Sequence, residues 1–345
     1  MTSLGDLKPY SKRDPDSFLK NANVLTQHHI DGCPEYSKIF SNWSSSSKVE
    51  DLPYLHVGVF KEIDFRTSGE GIKHLRPLNS SSTSSGIPSV INLDTKSSKL
   101  QSESSIKILE ANLGNNKRPL LILDSSKSLR NRSVSARIAA ALSLKPLASE
   151  IHFLNEDLEH PTKLDFNKLE KILDNHNSIL VYGFTWVLWK SWGEANFPNS
   201  LKNALKNKEI SFVHSGGWKK LEKEKVDLDT FNSTLKEDLA ESSKVIDFYG
   251  LVEQVGIVFP LDEDGYRKVP VWADCIVRDI YTKEPIYNRP GQLQLINTLA
   301  WGAPYHSVLT EDMAIMPSPS TESDVKKFKL IGRLPKAEAR GCSNV

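Results

Sequence analysis

Apolar and polar positions settle into a strand-then-helix rhythm between about residues 119 and 250. Pro119 to Leu123 (PLLIL) is a continuous apolar run, the pattern of a strand buried on both faces. Val134 to Leu144 is Ala-rich and reads as a helix. Phe166, Leu169, Ile172 and Leu173 then fall on one helical face, with Asp165 placed to cap it. Ile179 to Tyr182 gives a second buried strand. Asn199 to Lys206 reads as a short helix with Pro198 near its first turn. Ile210 to Val213 is a third strand, Leu228, Phe231 and Leu235 mark another amphipathic helix, and Val245 to Tyr249 is a fourth strand. Such alternation predicts an α/β fold, a mostly parallel sheet layered with covering helices.

The pattern changes on either side of this body. After residue 255, Val255 to Phe259, a turn at Asp262 to Gly265 and Val269 to Val277 read as strands joined by a tight loop. The last third is therefore expected to be a β-rich C-terminal lobe. Residues 1–50 are polar, with aromatic patches at Phe18 and at Tyr36 to Phe40, and predict an extension of short helices with no core of its own. Ser44 to Ser47 ends it as a flexible linker by composition.

Bulk composition narrows the class. A chain of 345 residues with 39% hydrophobic and 25% charged residues can bury a sizeable core, as one large domain with sub-lobes or as two units. A net charge of +1 supplies no field for nucleic acid or an anionic membrane. Three scattered cysteines make neither a disulfide framework nor a Cys-rich zinc site. The N-terminus has no signal-peptide core, and no apolar run approaches the roughly 18–20 residues of a membrane span. The expectation is a reduced, cytoplasmic protein that encloses any apolar substrate.

Five segments could carry chemistry. Ser80 to Ser89 (SSSTSSGIPS) crowds hydroxyls at Ser81, Ser82, Thr83, Ser84 and Ser85 before Gly86; such a loop can grip phosphate oxygens, although composition alone favours a solvated linker. His214-Ser215-Gly216-Gly217-Trp218 follows a predicted strand, where a Gly pair lets a flat ring lie against backbone or simply makes a turn. Tyr249-Gly250-Leu251-Val252-Glu253 also follows a strand; Glu253 could hold Mg²⁺ against a triphosphate, or be a surface residue. Ser307 to Asp312 ends on an acid that could accept ribose hydroxyls. In Gly332 to Asn344, Cys342 lies close to basic residues that favour its thiolate, or it is a free thiol on a frayed tail.

Taken in order, these segments resemble the core motifs of adenylate-forming enzymes. More closely, the chain resembles the acyl-protein synthetases of the LuxE type, through Leu55 to Lys61 (LHVGVFK), SSSTSSGIPS, Gly183-Phe184-Thr185-Trp186, HSGGWKK, YGLVEQVG, HSVLTED and GRLPKAEARGC. The resemblance spans about residues 52–345. It implies the N-terminal-domain-like fold of that superfamily over 51–331, a hinge and short tail at 332–345, and no mobile C-terminal domain. Ser81 to Gly86 would then hold the ATP phosphates, Gly216 and Gly217 would line the adenine site, and Tyr249 and Gly250 would pack on the base. Glu253 would hold Mg²⁺, while Asp312 and Arg333 would bind the ribose. Cys342 matches the acyl-accepting cysteine of the family. Phe184, Trp186 and His214 are candidates for the acid pocket, with ordinary core packing as the alternative. Thr83 stands where the family loop carries a glycine.

The implied reaction is ATP-dependent activation of a carboxylic acid, foremost a long-chain fatty acid, to an acyl-adenylate. Transfer to a cysteine thioester follows, for a partner such as an acyl reductase or acyltransferase. Other acceptors (coenzyme A, a carrier protein, a sugar amine) remain open, as does a non-catalytic nucleotide-binding scaffold. Gln27 to Gly32, with His28 and His29, reads as structural or surface sequence.

Overall fold

A computed structural model describes residues 3–75, 77–79, 88–126, 140–155, 162–319 and 325–334. The short strand β1 (Leu55–His56) and the antiparallel pair β2 (Leu78–Asn79) and β3 (Val90–Ile91) come first. Next come β4 (Arg118–Ser125), β5 (Ala148–Asn155), β6 (Ser178–Phe184), β7 (Glu209–Ser215) and β8 (Lys244–Tyr249). These run parallel in the order β5-β4-β6-β7-β8, and β9 (Phe259–Pro260) pairs antiparallel with β8 at the edge. The second sheet contains β10 (Arg267–Lys268), β11 (Ala273–Arg278), β12 (Gly291–Asn297), β13 (Ser307–Ile315) and β14 (Lys327–Arg333). Its order is β10-β14-β13-β12-β11, antiparallel throughout, with β1 added parallel to β13.

The parallel sheet forms where the apolar runs predict it. Every residue of β4 is buried, as a strand covered on both faces requires. One face packs on helices Phe166–Asn175, Asn199–Leu205 and Leu228–Leu235 through Leu169, Leu173, Leu201 and Phe231. Asp165 accepts from the backbone N–H of Lys168 and caps the first of these. The predicted helix Val134–Leu144 lies outside the described residues up to position 139; Ala141 and Leu144 are buried against the other face.

A helix that the apolar pattern does not announce, Thr95–Leu113, sits between the two sheets. Leu109 and Leu113 join the core of the parallel sheet, whereas Leu100 and Ile108 join that of the second. Its serines make the cross-links: Trp272 Nε1 donates to Ser104 Oγ at 2.7 Å, and the N–H of Trp301 donates to Ser97 Oγ at 2.7 Å. Asp94 caps the helix through the N–H groups of Lys96 and Ser97.

Two strand boundaries differ from expectation. Val255 to Phe259 is strand only at its end, because Gly256 turns with φ +77° and its Cα lies so close to helix Thr95–Leu113 that a Cβ would stand 2.5 Å from Gln101. Val269 to Val277 becomes strand only at Ala273, after Pro270, which has no N–H to donate. The turn at Asp262 carries the chain from one sheet into the other, its side chain accepting from the N–H groups of Asp264 and Tyr266.

The N-terminal residues hold an 18-residue helix, Pro15–Gly32, started by Asp14 and Pro15, rather than short helices alone. It buries Phe18, Ala22 and Leu25. Ser46 is no flexible linker: it is buried, exchanges backbone hydrogen bonds with the Asn23 side chain, and accepts from Trp43 Nε1. His29 is fully buried, donating from Nε2 to the Ala300 carbonyl at 2.9 Å and accepting at Nδ1 from Thr67 at 2.7 Å. Its ring lies 4.8 Å from that of His306, which is also fully buried. Both are therefore structural, and half-buried His28 contacts the Trp301 carbonyl.

Burial pushes His29 well below the usual histidine range and His306 down to about 3. Above pH 6.5 both states are neutral and the full stability is present. Below it the unfolded chain takes up protons that the folded chain refuses, so stability falls with pH by about 1.4 kcal/mol per unit per group. Thermal melts from pH 7.5 to 5 should show this loss, and His306→Asn should flatten the slope relative to its own value at pH 7.5. An unchanged slope would count against the linkage.

Candidate functional site

The strand order reverses between β4 and β6, and the carboxyl ends of β6, β7 and β8 open onto one cavity of about 1140 Å³. Phe184, Gly216, Gly217, Tyr249, Gly250, Glu253, Asp312, Arg333 and His214 all line it. The sequence therefore separates by up to 149 positions what the fold collects at one sheet end. Of the acid-pocket candidates, Phe184 and His214 reach the cavity. Trp186 instead packs against the core of the parallel sheet and is not among the lining residues.

Gly216 and Gly217 follow β7 with φ of +84° and +63°. Two consecutive left-handed residues strain any side chain, which explains the pair and keeps this rim of the cavity bare backbone. Just before them, His214 is buried, and Thr185 Oγ1 lies 3.0 Å from its Nδ1 while donating to the Ser215 carbonyl. Burial lowers the His214 pKa, so the ring is neutral at pH 7.

Tyr249 and Asp312 bridge the two sheets across the cavity. Tyr249 Oη donates to Asp312 Oδ2 at 2.6 Å, and Arg333 Nε lies 3.3 Å from Asp312 Oδ1. Asp312 and Arg333 are register partners in β13 and β14. Thr310 fixes the approach: its hydroxyl donates to the Leu293 carbonyl at 2.8 Å and accepts the Asp312 N–H at 3.1 Å, beside an irregularity in the β12–β13 register. This gives Thr310, two residues before Asp312, a structural reason. Burial raises the Tyr249 phenol well above its usual range, and the Asp312 carboxylate adds to the shift.

Glu253 is only 4% exposed, on the short turn Val252–Gln254. Burial raises its pKa, while a hydrogen bond from the Ser89 side chain and the charge of Lys61 work in the other direction. Ser89 and Lys61 both line the cavity, yet single-residue reasoning passed over them as it did Thr310. Ser89 follows a serine-rich run and Lys61 the apolar LHVGVF, and neither residue type stands out against those neighbours. Ser81, Ser82, Thr83, Ser84, Ser85 and Gly86 lie outside the described residues, as do Cys342, Lys336 and Arg340. The flanking β2 and β3 pair with each other, Leu78 with Ile91 and Asn79 with Val90, and Leu78, Asn79 and Ser89 face the cavity.

The acyl-protein synthetase (LuxE) family model matches residues 7–345. The chain belongs to the LuxE acyl-protein synthetase family. Membership carries the coarse activity, ATP-dependent acyl activation by a ligase. The fold agrees. A 2-hydroxyisobutyryl-CoA ligase solved in an open conformation with 2-HIB-AMP and CoA matches with a TM-score of 0.64 at 12% identity, over 93% of this LuxE-family chain and 71% of the ligase. ATP-bound MatB from Rhodopseudomonas palustris matches with a TM-score of 0.50 at 13% identity, over 79% of this chain and 50% of MatB, so the chain spans about half of that protein. No curated protein matches in sequence. Among the described residues no helix is long and apolar enough to cross a membrane.

Proposed function

We propose that this LuxE-family chain converts a long-chain fatty acid and ATP to an acyl-adenylate in the cavity, then passes the acyl group to Cys342 as a thioester for a partner acyl reductase or acyltransferase. The observation that carries the first half is the convergence of Tyr249, Glu253, Asp312 and Arg333 on one cavity at the carboxyl end of a parallel sheet. Its volume exceeds that of a usual small-ligand pocket of roughly 300–1,000 Å³, enough for a nucleotide and an acyl chain together. Ile106, Leu142, Phe184 and Phe248 supply apolar wall for the chain.

The residues divide the work. Each oxygen of Asp312 already has one partner, Tyr249 or Arg333, which fixes the carboxylate and leaves lone pairs for two ribose hydroxyls. Bare backbone at Gly216 and Gly217 admits the flat adenine ring. Serines 81, 82, 84 and 85, with Thr83 and Gly86, cradle the phosphates. A buried carboxylate whose charge is disfavoured by desolvation suits a cation, so Glu253 fits Mg²⁺. In nucleotide sites Mg²⁺ takes most of its ligands from phosphates and water, so one protein carboxylate can suffice. Mg²⁺ when bound neutralises charge on the phosphates. The carboxylate nucleophile is already anionic, and no base is required for its attack.

Cys33 and Cys275 are unsuited to carry the acyl group. Both are fully buried, burial raises both thiols (Cys275 to about 12), and neither lines the cavity.

Incubation with ATP, Mg²⁺ and a fatty acid should yield acyl-adenylate by mass spectrometry; no adduct with any carboxylic acid would overturn the reading. Asp312→Ala should raise the KM for ATP about 10- to 100-fold, a loss of roughly 1.4–2.8 kcal/mol, with a smaller effect on the KM for the acid. Equal effects on both would remove the ribose assignment.

A further inference from the structure

Among the described residues, the Lys and Arg side chains lining the cavity are Lys61, Lys225, Arg267 and Arg333. Lys225 lies 3.5 Å from Glu222, Arg267 lies 2.7 Å from Asp247, and Arg333 lies 3.3 Å from Asp312. Lys61 differs: among the described residues its ammonium has no carboxylate within ion-pairing distance and no hydrogen bond. Its placement is nevertheless built. β1 is held parallel to β13 by the pairs Leu55 with Val308 and His56 with Leu309, three residues before Asp312. The turn Val57–Lys61 follows directly, capped where His56 Nδ1 accepts the Gly58 N–H at 3.1 Å. Phe60 is buried with its ring 5.5 Å from that of Phe65, which pins the backbone one residue before the lysine. The anchored turn places Lys61 in the cavity wall, within electrostatic reach of Glu253.

We propose that Lys61 is a catalytic residue of acid activation, its ammonium holding the attacking carboxylate against an oxygen of the α-phosphate. The proposal rests on the adenylation reading and adds to it the group that brings two anions together. In the step, a carboxylate oxygen forms a bond to the α-phosphorus. The bond from that phosphorus to the bridging oxygen breaks, and its electron pair leaves with pyrophosphate. No proton moves, and Lys61 stays an ammonium throughout. Its charge offsets the repulsion between the two anions in a partly enclosed site, where a fixed cation acts more strongly than in water. The influence of Lys61 on Glu253 fits a lysine close to the phosphate end of the cavity.

The test compares wild type with Lys61→Met, which keeps the stem and removes the charge, and Lys61→Arg, which restores a cation. Three readouts are taken: acid-dependent ATP–pyrophosphate exchange, AMP release from chemically made acyl-adenylate, and thermal melting. Lys61→Met should lose about 100-fold in exchange. It should consume preformed adenylate at the wild-type rate and melt with the wild type, while Lys61→Arg recovers part of the exchange. Exchange within threefold of a working wild type would overturn the proposal. So would an equal loss with preformed adenylate, the mark of a merely structural role. If Lys61→Met does not fold, Lys61→Gln is judged by the same criteria. A wild type that exchanges with no acid would overturn the adenylation reading beneath it, a distinguishable outcome.

Discussion

Glu253→Gln should lower acid-dependent ATP–pyrophosphate exchange by about 10²- to 10³-fold while the protein melts at the same temperature or higher. The two halves follow from one fact. Glu253 is 4% exposed, and burial raises its pKa above the ordinary value of 4.5. A carboxylate with a raised folded pKa destabilises the fold above its unfolded pKa, because the unfolded chain ionises more easily. Gln keeps the shape and removes that penalty, so stability at pH 7 holds or rises. Activity falls because the charge proposed to hold Mg²⁺ is gone. A variant that loses activity and melts earlier would make Glu253 structural. One that keeps both would remove it from the site.

Cys342→Ser should abolish covalent acyl labelling and leave adenylate formation unchanged. The reasoning combines chemistry and exclusion. Thioester formation needs a thiolate able to reach the adenylate. Cys33 and Cys275 are sealed in cores with raised thiols, and they stay so in the variant. The readout is a fatty acyl label released by hydroxylamine. Label at wild-type level in the serine variant would show that another residue accepts the acyl group. Loss of exchange together with label would instead place Cys342 in the activation step.

Legibility in the sequence follows the physics of each element. The parallel sheet was readable because its strands are buried on both faces, so Pro119 to Leu123 and Ile179 to Tyr182 appear as unbroken apolar runs. Helix Thr95–Leu113 was not, because its contacts are partly polar. Ser97 and Ser104 spend their hydroxyls on Trp301 and Trp272, which the eye reads as a solvated surface. Ser46 misled in the same way: one buried, hydrogen-bonded serine made a structured turn of what composition called a linker. The cavity-lining positions were legible as short segments at strand ends, since Gly216-Gly217 and Glu253 combine unusual backbone needs with a charge in a buried context. Thr310 and Lys61 were hidden because their meaning lies in register. Thr310 matters through the Asp312 N–H that it accepts, and Lys61 through the strand pairing that sets β1 beside β13.

The most direct measurement is ATP–pyrophosphate exchange by the wild-type chain across carboxylic acids of graded length, with and without Mg²⁺. Exchange that requires both acid and Mg²⁺ and rises with chain length into the long-chain range is the expected result. Exchange with no acid in the panel, or exchange indifferent to the acid supplied, would contradict adenylation in this cavity.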